Sequence, residues 1–193
     1  MGDYLNILTI GELASLADHL ELLDSALLPI NAAIKQSVDP ESDGLLDRGE
    51  YLIGIGFVAA QRYIQTVYFS EGLKQDDALK LGEKLNDFGT HAHAIWQGAN
   101  YWKHEEEWYQ KVSSGRVLEG RAKKTSDNLE HYTDCAEYAC ANLLNVILKG
   151  EELSLIALIP ILKAWTEAVS SCKQALCSEV TPRRHHRDDA RES

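Results

Sequence analysis

The chain of 193 residues lacks long apolar runs, since none reaches eighteen residues. A membrane-spanning helix needs about twenty such residues, so none is predicted. The first residues also lack the basic start and apolar core of a secretory signal, and Asp3 stands among them. We therefore expect a cytoplasmic protein that does not contact a membrane.

Cysteine is scarce, and so are strand patterns. The four cysteines form two pairs, each five positions apart, a spacing that does not match a zinc knuckle. We interpret them as reduced thiols, because a disulfide would need an oxidising compartment: Cys135, Cys140, Cys172 and Cys177. No alternating apolar run lies between hairpin turns, and no phosphate-binding loop, nucleophile elbow or dinucleotide fingerprint occurs.

The charge balance is strongly acidic. The formal net charge is -11 and the isoelectric point is near 5.0. Such a surface repels phosphate, so non-specific binding of nucleic acid is not expected. Two local basic patches, at residues 121–124 and 183–187, stand against this trend.

Apolar residues recur at three- and four-residue steps over most of the chain, which predicts helices. We expect one or two helices over 4–37, with Pro29 marking a kink or break, and single helices over 48–70, 74–109, 127–150 and 153–176. The fold class predicted is all-α, an antiparallel bundle of five to six helices. It would form one domain over 1–180, followed by a charged, disordered tail over 181–193.

Smaller features refine this prediction. In the second helix, Tyr51, Ile55, Val58, Tyr63 and Val67 would form the apolar face, and two glycines would let a neighbouring helix approach closely, at positions 54 and 56. Residues 113–127 are expected to be a mobile loop. The fourth helix would be capped at 126 or 127 and stopped by the glycine at 150.

The stretch 95–108 holds three of the four tryptophans. On a helix, a four-residue step would place Trp96, Asn100, His104 and Trp108 along one stripe. The stripe would combine aromatic rings with an amide and an imidazole, which could form a polar site or the structural centre of the bundle.

Five aromatic residues cluster in and beside this stretch, and tryptophan and tyrosine concentrate at the centres of protein contacts. They are therefore candidates for binding a protein partner or a second copy of the chain. The alternative is that they fill a gap between helices. They are Trp96, Tyr101, Trp102, Trp108 and Tyr109.

The polar connection 39–50 matches part of a calcium-loop pattern. Acidic residues occupy five positions of this twelve-residue loop. Glycine occupies position six, where the pattern needs a sharp turn. The candidate metal ligands are Asp39, Glu41, Asp43, Asp47 and Glu50. Calcium is thus the one cofactor considered, and a plain solvated loop is the alternative.

The segment Asn100–His104 has the form Asn-x-x-Lys-His. With the glycine-rich aromatic helix before it and a Leu-x-x-Trp step at Leu162 and Trp165, it makes residues 45–175 resemble the HEPN-like helical proteins of prokaryotes. Catalytic members of that family cleave RNA without a metal, using an arginine and a histidine that a dimer brings together. The resemblance implies His104 as the histidine and Asn100 as its polar neighbour.

The family's arginine position is not matched, because residues 96–99 are Trp, Gln, Gly and Ala. Arg62 on the preceding helix could supply the cation instead. Three consecutive glutamates follow His104 and would repel an RNA phosphate there. A structural histidine, hydrogen-bonded to Glu107 or to a backbone group, is the alternative interpretation.

The function predicted is therefore an interaction or regulatory module, in a setting of microbial defence or a toxin–antitoxin system. A protein partner or a second copy of the chain is expected, and among nucleic acids only RNA is considered. A ribonuclease using His104, and a calcium-binding protein using 39–50, are the alternatives.

Overall fold

The computed structural model describes the backbone of residues 2–133 and 137–180, and the side chains of 10–133 and 137–175. Within these ranges it contains seven helices and no strand: α1 (Gly2–Ile34), α2 (Leu45–Glu71), α3 (Gln75–Ala78), α4 (His91–Ser113), α5 (Gly120–Glu130), α6 (Ala139–Ile147) and α7 (Leu158–Val180). The all-α class is confirmed. None of the described helices combines the length and the apolar character needed to cross a membrane.

Helix α2 is the centre of the fold, because it packs against α1, α4, α6 and α7. The largest fully buried side chains of this helix include Ile53, Phe57 and Ile64. They belong to one cluster of buried side chains to which all seven helices contribute. The apolar face predicted for this helix was partly wrong, since Tyr51 and Ile55 are exposed.

Close approach of a neighbouring helix is confirmed at one of the two glycines of α2. A Cβ on Gly54 would overlap the indole of Trp102 on α4, and one on Gly56 would overlap the Leu155 side chain. Leu155 precedes α7 and is not itself helical. Only Gly54 therefore allows a neighbouring helix to approach closely.

The single helix predicted over 74–109 was wrong. Residues 79–90 separate α3 from α4, and the chain turns within them. Gly82 has φ of 85°, and the Asn86 side chain accepts hydrogen bonds from the backbone of Phe88 and Gly89 at 2.9 and 3.1 Å. These local bonds compete with helix formation. Thr90 then begins α4 by accepting a hydrogen bond from the His93 backbone at 3.1 Å.

The mobile loop predicted over 113–127 was also wrong in its second half, where α5 begins at Gly120. The helix predicted over 127–150 is instead the end of α5 and all of α6. The predicted stop at Gly150 was three residues too late, because α6 ends at Ile147 and Lys149 already has a left-handed φ of 56° before Gly150, whose φ is 84°. The predicted tail over 181–193 lies outside the described residues.

Two further predictions about where helices begin or break, in α1 and α7, are resolved by the structure. Helix α1 continues through Pro29, so the chain does not break there. Helix α7 begins at Leu158 and not near 153, because Leu155 and Ile156 donate their backbone N–H groups to the buried Asp24 carboxylate of α1, at 2.7 and 3.0 Å. Pro160 follows in the first turn, where a missing N–H costs nothing.

Candidate functional site

An open groove of about 1290 Å³ runs along α4. Helix α5 forms one wall, and residues 75–90 form another. As the four-residue spacing predicts, Trp96, Asn100, His104 and Trp108 all line this groove. The predicted stripe is therefore the floor of a concave surface and not simply part of the core.

Helix α2 holds the middle of the floor in place through Gln61, which is buried. Its Nε2 donates to Asn100 Oδ1 at 2.9 Å and to the Trp96 carbonyl at 3.3 Å. Its Oε1 accepts from Lys103 Nζ at 2.6 Å. Burial lowers the pKa of Lys103. Gln61 thus satisfies polar groups of three α4 residues and fixes the position of the Asn100 amide.

A second polar network lies at the start of α4. His93 lines the groove, with Nδ1 hydrogen-bonded to the Tyr132 hydroxyl and Nε2 to the Gln97 amide. Burial, and then the positive charge of Lys124, lower the pKa of His93. We therefore describe this imidazole as neutral near pH 7 and as a structural part of the floor.

His104 has a different environment. Its side chain is 52% exposed, and its Nδ1 lies 3.7 Å from a Glu107 carboxylate oxygen. Its ring is nearly parallel to that of Trp108, with centroids 6.1 Å apart. Glu107 also pairs with Lys111 at 2.6 Å. Glu107 therefore lies within ion-pair distance of His104, although 3.7 Å is longer than a hydrogen bond.

Arg62 does not join this group. It is exposed on α2, it does not line the groove, and no ion pair joins its side chain to another described residue. The basic side chains that do line the groove include Arg121 and Lys124 of α5, from one of the basic patches noted in the sequence.

The five aromatic residues predicted to bind a partner do not form one surface. Trp96 and Trp108 are buried in the groove floor, whereas Trp102 packs on Gly54 and meets Tyr51 edge to face, with ring centroids 5.3 Å apart. Tyr109 is exposed, and Tyr101 is half-buried beside Trp108. The packing of Trp102 therefore agrees with the gap-filling interpretation, whereas partner binding by these rings stays a prediction.

Tyr101 belongs to a crowded acidic region where α4 approaches α6. Burial and the nearby Glu105 carboxylate raise the pKa of Tyr101 to about 12. Burial, then Glu50 and Glu106, raise the pKa of Glu105 to about 7. Cys140 is a buried free thiol in the same region, and its pKa is raised by burial and by Glu50.

The candidate calcium ligands are not brought together. Glu50 is buried, and its carboxylate accepts the backbone N–H groups of Cys140 and Ala141 at 2.8 and 2.7 Å, at the start of α6. Asp39 accepts from the Ser42 backbone, and Asp43 from the Ser37 hydroxyl. Among the side chains that the structure describes, no group of three or more His, Cys, Asp or Glu could hold a metal ion.

Sequence reasoning missed three polar contacts that hold the groove and the bundle in place: those of Gln61 with Asn100, of His93 with Tyr132, and of Asp24 with Leu155. Each joins residues that are far apart in the chain, and polar residues within helical patterns give no signal of such partners. Comparison with known proteins adds nothing to this assignment, since no family model, curated protein or solved structure matches the chain.

Proposed function

We propose that this protein is an interaction or regulatory module that binds a macromolecular partner in the groove along α4. The observation that carries the proposal is the open groove of about 1290 Å³ lined by the whole Trp96–Trp108 stripe. Pockets for small molecules usually measure about 300–1000 Å³ and enclose most of the ligand. A larger, open groove suits part of a macromolecule better.

The chemistry of the lining also supports binding over catalysis. His93 and Gln97 are engaged with each other, and His104 is exposed beside a glutamate with no described arginine paired to it. A histidine that cleaves phosphodiesters needs a positioned cation to stabilise the developing charge. We therefore keep ribonuclease activity as the alternative and not as the proposal.

The resemblance to HEPN-like proteins suggests a biological context for the proposed interaction. In that setting the protein would regulate or be regulated by a partner in microbial defence or in a toxin–antitoxin pair. The partner would then be a protein or a second copy of this chain.

The test places a photoreactive amino acid at Ala122, which lines the groove, and for comparison at Lys123, its exposed neighbour outside the groove. Irradiation of cells that produce each variant should give a discrete covalent adduct from position 122 and not from position 123. Mass spectrometry of the adduct identifies the partner, and an adduct of twice the chain mass indicates self-association. Equal adducts at both positions, or none at 122, would refute the proposal.

A further inference from the structure

The amine of Lys103 has an unusual partner for a lysine of this protein. Its Nζ donates a hydrogen bond to Gln61 Oε1 at 2.6 Å, which is a neutral acceptor on α2. Among the described residues, no carboxylate lies within ion-pair distance of Lys103. Five other lysines do have a carboxylate oxygen within that distance: Lys35, Lys80, Lys111, Lys123 and Lys173.

The acidic residues of α4 that are nearest to Lys103 along the helix have other partners. On a helix, side chains three and four positions apart are neighbours, so Glu106 and Glu107 are the expected partners of Lys103. Glu106 instead accepts a hydrogen bond from Gln110 at 2.9 Å, and Glu107 pairs with Lys111 at 2.6 Å. The Lys103 side chain therefore reaches across to α2 and not along its own helix.

This environment favours the neutral form of the Lys103 amine. Burial lowers the pKa of Lys103, whereas hydrogen bonds to Asp127 raise the pKa of Lys123. A neutral amine has two N–H groups and one lone pair, so one N–H can remain on Gln61 while the lone pair is free. Lys103 is still an exposed residue, so a small reagent can reach it. A lysine amine with a lowered pKa is a good nucleophile.

From these observations we infer that Lys103 is a modification site that takes an acyl group from a small activated donor, an acyl phosphate or an acyl thioester. The ammonium first gives one proton to water, and the nitrogen lone pair then attacks the carbonyl carbon of the donor. As the C–N bond forms, the bond from carbon to the leaving phosphate or thiolate breaks. The nitrogen gives a second proton to water or to the leaving group, and a neutral amide remains.

Acylation at Lys103 would act on a residue that positions the groove floor. The amide of Gln61 that accepts from Lys103 also donates to Asn100 Oδ1 at 2.9 Å. An acylated nitrogen has one N–H and no charge, so its hydrogen bond to Gln61 is weaker than that of an ammonium. Lys103 itself does not line the groove. The inference therefore does not depend on what the groove binds.

The experiment incubates the full-length protein with acetyl phosphate in one arm and with an acetyl thioester in the other. Mass spectrometry of digested samples follows acetylation at each lysine with time. Lys123 is the internal control, because it is also exposed but is paired with Asp127. At about pH 8 the initial rate at Lys103 should be at least about threefold higher than at Lys123. The rate at Lys103 should also reach its plateau at a lower pH.

Two variants test whether the partner of each lysine is responsible. Asp127→Asn removes the carboxylate from Lys123, so acetylation there should rise about two- to fivefold, while Lys103 should not change. Gln61→Glu places a carboxylate beside the Lys103 amine and should slow acetylation of Lys103 by a similar factor, with Lys123 unchanged. If circular dichroism shows that Gln61→Glu does not fold, the comparison of lysines within the wild type still decides.

The outcomes separate clearly. Faster reaction of Lys103 in one arm alone supports the site and identifies the leaving group of its donor. Equal rates and equal pH profiles at Lys103 and Lys123 in both arms would overturn the inference, as would a folded Gln61→Glu protein in which Lys103 reacts as in the wild type. Neither result affects the crosslinking test of the groove.

Discussion

At the scale of single residues, the four-residue spacing correctly placed Trp96, Asn100, His104 and Trp108 on one surface. This prediction needs only the geometry of a helix. The residues that hold the surface in place could not be predicted, because Gln61 is separated from Asn100 by 39 positions. The partner of Glu50 could not be predicted either, because it is also distant in the chain. In the sequence Glu50 matches a calcium-loop position, whereas in the structure its carboxylate accepts hydrogen bonds from backbone N–H groups at the start of α6.

Glu105 shows how such long-range packing changes a single residue. It is the first of three consecutive glutamates, and only this one is half-buried, whereas Glu106 and Glu107 are exposed. Burial raises the pKa of Glu105 to about 7. The folded state therefore holds this proton more tightly than the unfolded state, whose glutamate has an ordinary pKa.

It follows that Glu105 should make stability depend on pH. Its contribution is fully present below about pH 4.5 and is lost as the pH rises through about 7. In Glu105→Gln the loss is absent, so this variant should gain about 1 kcal/mol relative to the wild type between pH 5 and pH 8, a figure reduced for solvent screening of a half-buried group. Urea denaturation at both pH values measures the difference.

The matched control for this prediction is Glu21→Gln, which removes the same charge from an exposed position of α1. Its stability relative to the wild type should change little between the two pH values. If Glu105→Gln and Glu21→Gln behave alike, the buried environment of Glu105 is not responsible for any pH effect.

At the scale of helices, the long periodic segments were predicted well and their ends poorly. The apolar periodicity of α1, α2 and α7 survives in the structure because each helix packs a continuous face on the core. Residues 79–90 also contain leucines at helical spacing. There, however, the turn at Gly82 and the side-chain bonds of Asn86 stabilise a different backbone path. The spacing of apolar residues does not show whether such local hydrogen bonds are more stable than a helix.

The approach of α2 to α4 depends on one missing side chain. Because Gly54 has no Cβ, the indole of Trp102 lies directly against the α2 backbone. We expect Gly54→Ala to destabilise the fold by about 1–3 kcal/mol, since the indole or the helix must move. Gly11→Ala is the control, because it lies in α1 with no atom near its added methyl group, and it should stabilise by about 0.5–1 kcal/mol through helix propensity.

Chemical denaturation of both glycine variants measures these changes as shifts in the midpoint. In the double variant G54A/W102A, the indole that the new methyl group would meet is absent, so its loss of stability should be smaller than the sum of the two single losses. Additive losses would show that Gly54 and Trp102 do not constrain each other.

At the scale of the whole molecule, the groove is less acidic than the chain as a whole. The chain carries a net charge of -11, whereas five lysine or arginine and four aspartate or glutamate side chains line the groove, and three of each kind have no ion-pair partner in the described residues. The sequence alone predicted the acidic surface and two basic patches, of which the patch at 121–124 lies within the described residues. It could not predict that Lys123 pairs with Asp127 while its neighbour Lys124 lines the groove, because that division depends on how α5 is placed against α4.

This charge distribution also bears on the ribonuclease alternative. A long RNA would be repelled by the acidic surface outside the groove, and Arg62 does not line the groove beside His104. We therefore expect a labelled 30-nucleotide single-stranded RNA to remain intact on incubation with the pure protein at about 0.15 M salt, as followed by denaturing gel electrophoresis. His104→Ala, run in parallel, should give the same result. Cleavage products formed by the wild type and not by His104→Ala would instead show that His104 is catalytic. The protein would then be an enzyme and not an interaction module.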